Sequence, residues 1–228
     1  YVLGLAIAAT GFAAPVYLLA LSGLMAAVAW AYTVICRCFP EGGGVYTSAR
    51  RITPMLGVFG GTLLLADYIV TAALSLVEAF HYFGVPEGPG KVIIFACCVV
   101  TLAGLGVVNW FGARSAGRFA LVIAVLAMGF SAIIGLLALP FVPEGFRNIN
   151  WGAGKPIGDR WISFVAIILA LSGVEAVSNM TGLMKQPVDR TAKRTIWPVL
   201  AEVALLNLLF GVALVGLIAR LEIGRAHV

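Results

Sequence analysis

The chain carries apolar runs that are each long enough to cross a lipid bilayer. Residues 62–83, TLLLADYIVTAALSLVEAFHYF, form one such run, and a helix of about 20 apolar residues spans the hydrocarbon layer. Only 11% of the residues are charged, whereas a soluble domain has about 25%. The sequence therefore predicts an all-α polytopic membrane protein that resides in the cell membrane.

Short polar segments divide the chain into six predicted spans, and residues 1–10 are predicted to end a further apolar helix. Residue 1 is Tyr and lies inside apolar sequence, so we expect residues 1–221 to be a fragment of one transmembrane domain. We expect residues 222–228, EIGRAHV, to be a non-native tail, because a common sequencing adapter can encode them. The predicted spans are 14–36, 55–83, 91–109, 117–139, 161–184 and 197–219, with loops at 109–118, 141–160 and 185–195.

Basic residues fall in the short segments between these spans and give the chain a net charge of +5. This placement indicates membrane topology and no nucleic-acid partner. One side of the membrane receives more of them, and we expect that side to be cytoplasmic. The basic residues on that side are Arg37, Arg50, Arg51, Arg114, Arg118, Lys185, Arg190, Lys193 and Arg194.

The second predicted span has one polar face. Asp67, Thr71, Ser75 and Glu78 follow a spacing that places them on the same side of a helix. Carboxylates inside a membrane are costly and normally face a protein interior or a wet cavity. Because no Lys or Arg lies in this run, the face suits a cation or a proton. The alternative is that both acids are protonated or hydrogen-bonded structural groups.

The fifth predicted span changes character midway. It is apolar up to Leu171, and Ser172-Gly173 and Glu175 then predict an interrupted helix. Non-helical backbone at membrane depth is tolerated where it lines a cavity. A continuous helix with a packing face of small residues is the alternative.

Four segments, met in order over residues 30–195, resemble the amino acid–polyamine–organocation (APC) superfamily of secondary transporters. The resemblance implies a LeuT-like fold of two inverted five-helix repeats, with broken first and sixth helices around a midplane site. By that match the chain is truncated to about helices two to seven. The segments are FPEGGGVYTSARR, LLLADYIVTAALS, NWFGARSAG, and LALSGVEAVSN with KQPVDRTAKRT.

Within the superfamily, the chain is most similar to KimA-type, proton-coupled potassium importers. That resemblance implies proton-coupled uptake by alternating access, with Asp67 and Glu175 as candidates for carrying the proton. An amino-acid permease with a zwitterionic substrate remains the alternative. The implied binding residues are Asp67, Tyr68, Thr71 and Ser75 on the third helix, and Ser172, Gly173 and Glu175 at the break of the sixth.

Other classes of protein find little support in the sequence. We find no pattern for a catalytic nucleophile, a metal cluster or a phosphate-binding loop, so we predict neither an enzyme nor a bound cofactor or metal. The four cysteines are predicted to be free thiols. The expected partners are a monovalent cation or other small substrate, protons, the lipid bilayer and a second copy in a homodimer of the full-length protein. A non-transporting sensor or structural subunit stays open.

Overall fold

The computed structural model describes residues 2–84, 90–151, 156–168 and 174–226. Within these ranges, the side chains of residues 113–115, 174–176 and 222–226 are left undescribed. All regular secondary structure in the described part is helical, so the prediction of an all-α protein is confirmed. The α-helices are Val2–Thr10 (α1), Ala14–Cys38 (α2), Gly44–Ile52 (α3), Pro54–Tyr82 (α4), Lys91–Trp110 (α5), Ala113–Ala138 (α6), Val142–Asn148 (α7), Ile157–Ile168 (α8), Val174–Asn179 (α9) and Val188–Ala226 (α10).

Five segments of the described chain are long and apolar enough to cross a membrane. The predicted span at 161–184 is not among them; its described residues include parts of two helices, α8 (Ile157–Ile168) and α9 (Val174–Asn179). Residues 169–173, where we predicted the interruption, lie outside the described residues. The five segments are Val2–Cys38, Pro54–Tyr82, Lys91–Trp110, Ala116–Asn148 and Val188–Leu221.

Three predicted loops are wrong in extent, since helix occupies most of each. The elbow at 109–118 shrinks to Phe111 and Gly112, and Gly112 has a positive φ of 94° that suits the sharp turn. The loop at 141–160 contains α7. The basic loop at 185–195 is mostly the beginning of α10.

The apolar face of α10 explains its early start. Val188, Ala192 and Ile196 are all buried and recur every four residues, so the amphipathic period of a helix continues through the basic segment. The intervening Arg190, Lys193 and Arg194 are exposed. The basic residues of 185–195 had indicated a loop. The buried positions at every fourth residue instead favour a helix there.

The chain divides into two compact units, residues 1–65 with 137–228, and residues 66–136. The first unit has its core between α2 and α10, where Met25, Ala29 and Cys36 pack with Ala192, Ile196 and Leu200. Burial of these side chains away from lipid and water gives this unit a defined interior. The second unit comprises the later part of α4, α5 and most of α6.

The chain bends after α1 at Gly11, which has a positive φ of 56°. Side-chain atoms of Leu18 and Leu3 lie 2.7 and 3.8 Å from the position that a Cβ on Gly211 would occupy. A straight helix would separate Leu3 from Leu18 by about 22 Å. Both can therefore approach one glycine only because the chain bends between them.

Helices α7 and α10 cross at glycines. A Cβ on Gly145 would collide with the carbonyl oxygen of Val212, and one on Gly216 with the carbonyl oxygen of Phe141. Small residues at helix crossings let backbones approach closely. Beside this crossing, Arg220 Nε donates to Glu144 Oε2 at 2.7 Å.

Candidate functional site

Helix α4 carries the first half of the predicted site and is defined at both ends. Thr53 Oγ1 accepts a hydrogen bond from the backbone N–H of Leu56 at 3.2 Å, and Pro54 occupies the first helical position, where its missing N–H costs nothing. At the other end, Gly84 has a positive φ of 80°, which is common just after a helix. The 29 residues of α4 extend about 44 Å, longer than the hydrocarbon layer.

The polar residues of α4 lie where helical periodicity places them. Asp67, Thr71 and Ser75 follow one face of a continuous helix, with Tyr68 beside Asp67. The side chains of Asp67 and Ser75 are exposed, and those of Tyr68 and Thr71 are half-buried. All four belong to the unit formed by residues 66–136. Their side chains thus offer a carboxylate, a phenol and two hydroxyls along about two turns.

Asp67 has no basic partner within the described part of the chain. Arg220 and Glu144, which do form an ion pair, belong to the other unit. A carboxylate on a membrane-length helix without a fixed counter-charge is costly to hold within a membrane.

The structure does not describe the side chains that form the second half of the predicted site. Ser172 and Gly173 lie outside the described residues, and so does the side chain of Glu175, although its backbone belongs to α9. Whether these three residues meet the polar face of α4 stays a prediction.

A close junction that sequence reasoning missed joins the glycine turn at residues 39–44 to residues 178–183. Thr181 Oγ1 lies 3.0 Å from the carbonyl oxygen of Phe39 and donates to it, across 142 residues of sequence. The backbone N–H of Gly43 donates to the carbonyl oxygen of Asn179 at 3.5 Å. The side chains of Thr181 and Ser178 are fully buried. We call this contact the glycine-turn junction.

Glycine is required at this junction by space as well as by backbone angle. Gly42 and Gly43 have positive φ values of 107° and 72°. A Cβ on Gly44 would lie 2.8 Å from Ser178 Oγ, and one on Gly182 would lie 2.5 Å from the carbonyl oxygen of Glu41. The junction fixes the segment that follows α9, the helix that carries Glu175.

One signal for the junction was present in the sequence. Three consecutive glycines are costly in a helix, and they predicted a turn at 39–46; the structure has the turn at 39–43, because α3 already begins at Gly44. Their partner, the segment SNMTGL at 178–183, carries only one glycine and two hydroxyls. Nothing local in either segment indicates that they pair, because the contact is formed by tertiary packing alone.

The sequence that forms these helices matches a known protein family. The family model described as "Amino acid permease" matches residues 1–226. This chain belongs to the amino acid permease family. The resemblance to the APC superfamily is therefore confirmed, and the protein is an integral membrane protein of a transporter family and not an enzyme.

Individual relatives of this permease are named as potassium transporters. The potassium transporter KimA of Bacillus subtilis is 27% identical over 189 residues, which is 76% of this chain and 30% of the relative. A probable potassium transport system protein Kup of Janthinobacterium sp. is 28% identical over 78% of this chain and 28% of its own length. Another, from Aromatoleum aromaticum, is 25% identical over 68% and 24%.

The chain thus spans 24–30% of the length of these curated relatives. No solved structure matches it.

Proposed function

We propose that the full-length permease imports potassium coupled to protons, by alternating access around a midplane site. The single observation that carries this proposal is Asp67, a carboxylate on a membrane-length helix without a basic partner among the described residues. Potassium is bound in membrane proteins by oxygen atoms that replace its hydration shell. Tyr68, Thr71 and Ser75 supply further oxygens on the same helix.

The cation fits Asp67 for an electrostatic reason. In a membrane interior, an unpaired negative charge is expensive, and a bound cation or a proton removes that cost equally well. Competition between the two for one carboxylate is a simple route to coupling. Glu175, on α9 beyond the predicted break, is the second candidate for the proton. The names of the relatives as potassium transporters agree with this choice of substrate.

An amino acid is the second candidate substrate, and the description of the family favours it. Backbone N–H groups at a broken helix bind substrate carboxylates in folds of this type. The predicted break at Ser172-Gly173 would then contact the substrate, and Asp67 would have a structural role. We also keep a homodimer of the full-length protein as part of the proposal, which light scattering of the purified protein tests.

Uptake in proteoliposomes separates these substrates. The full-length protein is reconstituted with an inward proton gradient and offered labelled rubidium, which stands in for potassium, and a labelled amino-acid mixture in parallel. We expect rubidium uptake that a protonophore abolishes. Amino-acid uptake without rubidium flux would contradict the cation proposal, and rubidium uptake insensitive to the protonophore would contradict the coupling.

A further inference from the structure

A cavity lies between α4 and α5, and the described residues that line it do not include Asp67, Thr71 or Ser75. Its volume is about 580 Å³, within the range of about 300–1,000 Å³ that is typical of small-molecule sites. Its walls are apolar, with Leu76 and Val77 from α4 and Ile94 and Leu102 from α5. All of its lining residues belong to the unit of residues 66–136.

One end of this cavity carries the basic side chain of Lys91 and an imidazole. His81, in the last turn of α4, and Lys91, the first residue of α5, both line it. No carboxylate is among the lining residues of the described chain. Lys91 forms no ion pair with any described carboxylate. The N-terminus of α5 adds a partial positive charge at the same end.

The position of the cavity along the membrane normal indicates what kind of molecule can bind in it. Helices α4 and α5 are both long and apolar enough to cross a bilayer, so the apolar walls lie at the level of acyl chains. Lys91 and His81 stand at helix ends, where lipid headgroups lie. An apolar body with a negatively charged head matches both parts. Potassium does not, because the walls lack the oxygen ligands that it needs.

We propose that this cavity binds an anionic membrane phospholipid, with one acyl chain between α4 and α5 and the phosphate at Lys91 and His81. The lysine supplies a strong charge-assisted hydrogen bond to the phosphate. The site thereby selects lipids by headgroup charge, which a plain lipid-facing groove does not.

The two adjacent cysteines of α5 provide the test. Cys98 lines the cavity and Cys97 does not, and both are half-buried on the same helix. Full-length proteins are made with either cysteine as the sole one, every other cysteine being replaced by alanine, and are labelled with a small fluorophore. Each is reconstituted with brominated phosphatidylglycerol or brominated phosphatidylcholine at equal mole fraction, because bromine on an acyl chain quenches the fluorophore on contact.

We expect brominated phosphatidylglycerol to be enriched at Cys98 by about fivefold over brominated phosphatidylcholine, equivalent to about 1 kcal/mol from one lysine at a membrane surface. Cys97 should show no preference. Lys91→Gln should abolish the preference and Lys91→Arg should retain it, whereas Arg147→Gln, at an exposed basic residue of the other unit, should leave it unchanged.

Equal quenching by both lipids at Cys98 would overturn the proposal, because the groove would then hold lipid without regard to charge. Absence of quenching at Cys98 by either lipid would overturn it as well, because another part of the protein would then fill the cavity. A preference that persists in Lys91→Gln would also contradict it.

Discussion

The hydroxyl of Thr181 joins two segments that lie far apart in sequence. It is fully buried and donates to the carbonyl oxygens of Phe39, at 3.0 Å, and Ser178, at 3.3 Å. A buried carbonyl that loses its donor costs about 1–3 kcal/mol. Since the hydrogen bond to Phe39 closes the glycine-turn junction, this single atom contributes to the position of the segment after α9.

We expect Thr181→Val, which keeps the shape and removes the hydroxyl, to lower the midpoint of thermal unfolding of the detergent-solubilised protein, by about 2–4 °C for each kcal/mol lost. The matched control is Thr195→Val. Thr195 is exposed and donates to the carbonyl of Thr191 at 2.9 Å, so water can replace its hydroxyl. Equal midpoints for the two variants would contradict a stabilising role for the Thr181 hydroxyl.

At the scale of the elements, the crossing of α7 and α10 allows the contribution of close backbone contact to stability to be measured. A Cβ on Gly216 would collide with the Phe141 carbonyl and lie 2.7 Å from the backbone nitrogen of Gly145. The neighbouring ion pair of Arg220 and Glu144 has side chains 56% and 26% exposed, and exposed pairs contribute about 0–1 kcal/mol.

We therefore expect Gly216→Ala to cost more than Arg220→Gln. Overpacking costs about 1–3 kcal/mol or more, because neither backbone can move aside cheaply, whereas loss of the ion pair costs about 1 kcal/mol at most. Thermal midpoints of the two variants measure the order. Gly23→Ala is the control, since a Cβ there meets nothing within 4 Å and alanine favours a helix. A larger loss for Arg220→Gln would contradict this account.

At the same scale, helical periodicity predicted more than charge did. The bounds of α4 differ by one residue at each end from the predicted 55–83, because a capping threonine and a terminal glycine mark its ends. The start of α10 was missed by nine residues, since exposed basic side chains concealed the buried positions Val188, Ala192 and Ile196. Helix α7 was missed because it packs closely against α10 at Gly145. That contact joins residues far apart in sequence, and no local pattern indicates it.

In the candidate site too, local periodicity could be predicted from the sequence and long-range contacts could not. A helix aligns Asp67, Thr71 and Ser75 by its period alone, so their shared face could be predicted from sequence. The glycine-turn junction could not, because its hydrogen bond joins residues 142 positions apart. The roles of Ser172, Gly173 and Glu175 depend on a similar long-range approach and stay predictions.

At the scale of the whole molecule, the two sites that we propose lie on one pair of helices. The polar face of α4 offers oxygen atoms for a cation, whereas the cavity between α4 and α5 offers an apolar space with Lys91 at its end. These are different chemistries, so transport and lipid binding can be lost separately. The chain spans 24–30% of its curated relatives, and both activities therefore belong to tests on the full-length protein.

The most direct test of the transport proposal compares two substitutions on α4 that each remove one negative charge. Rubidium uptake into proteoliposomes is measured for Asp67→Asn and for Glu78→Gln, both in the full-length protein and at equal reconstituted amounts. Asp67→Asn should reduce uptake about 10- to 150-fold, because loss of an interaction with a charged group costs about 1.5–3 kcal/mol. Glu78→Gln, eleven residues further along the helix, should retain most of it. Full uptake by Asp67→Asn, or an equal loss in both variants, would contradict a cation site at Asp67.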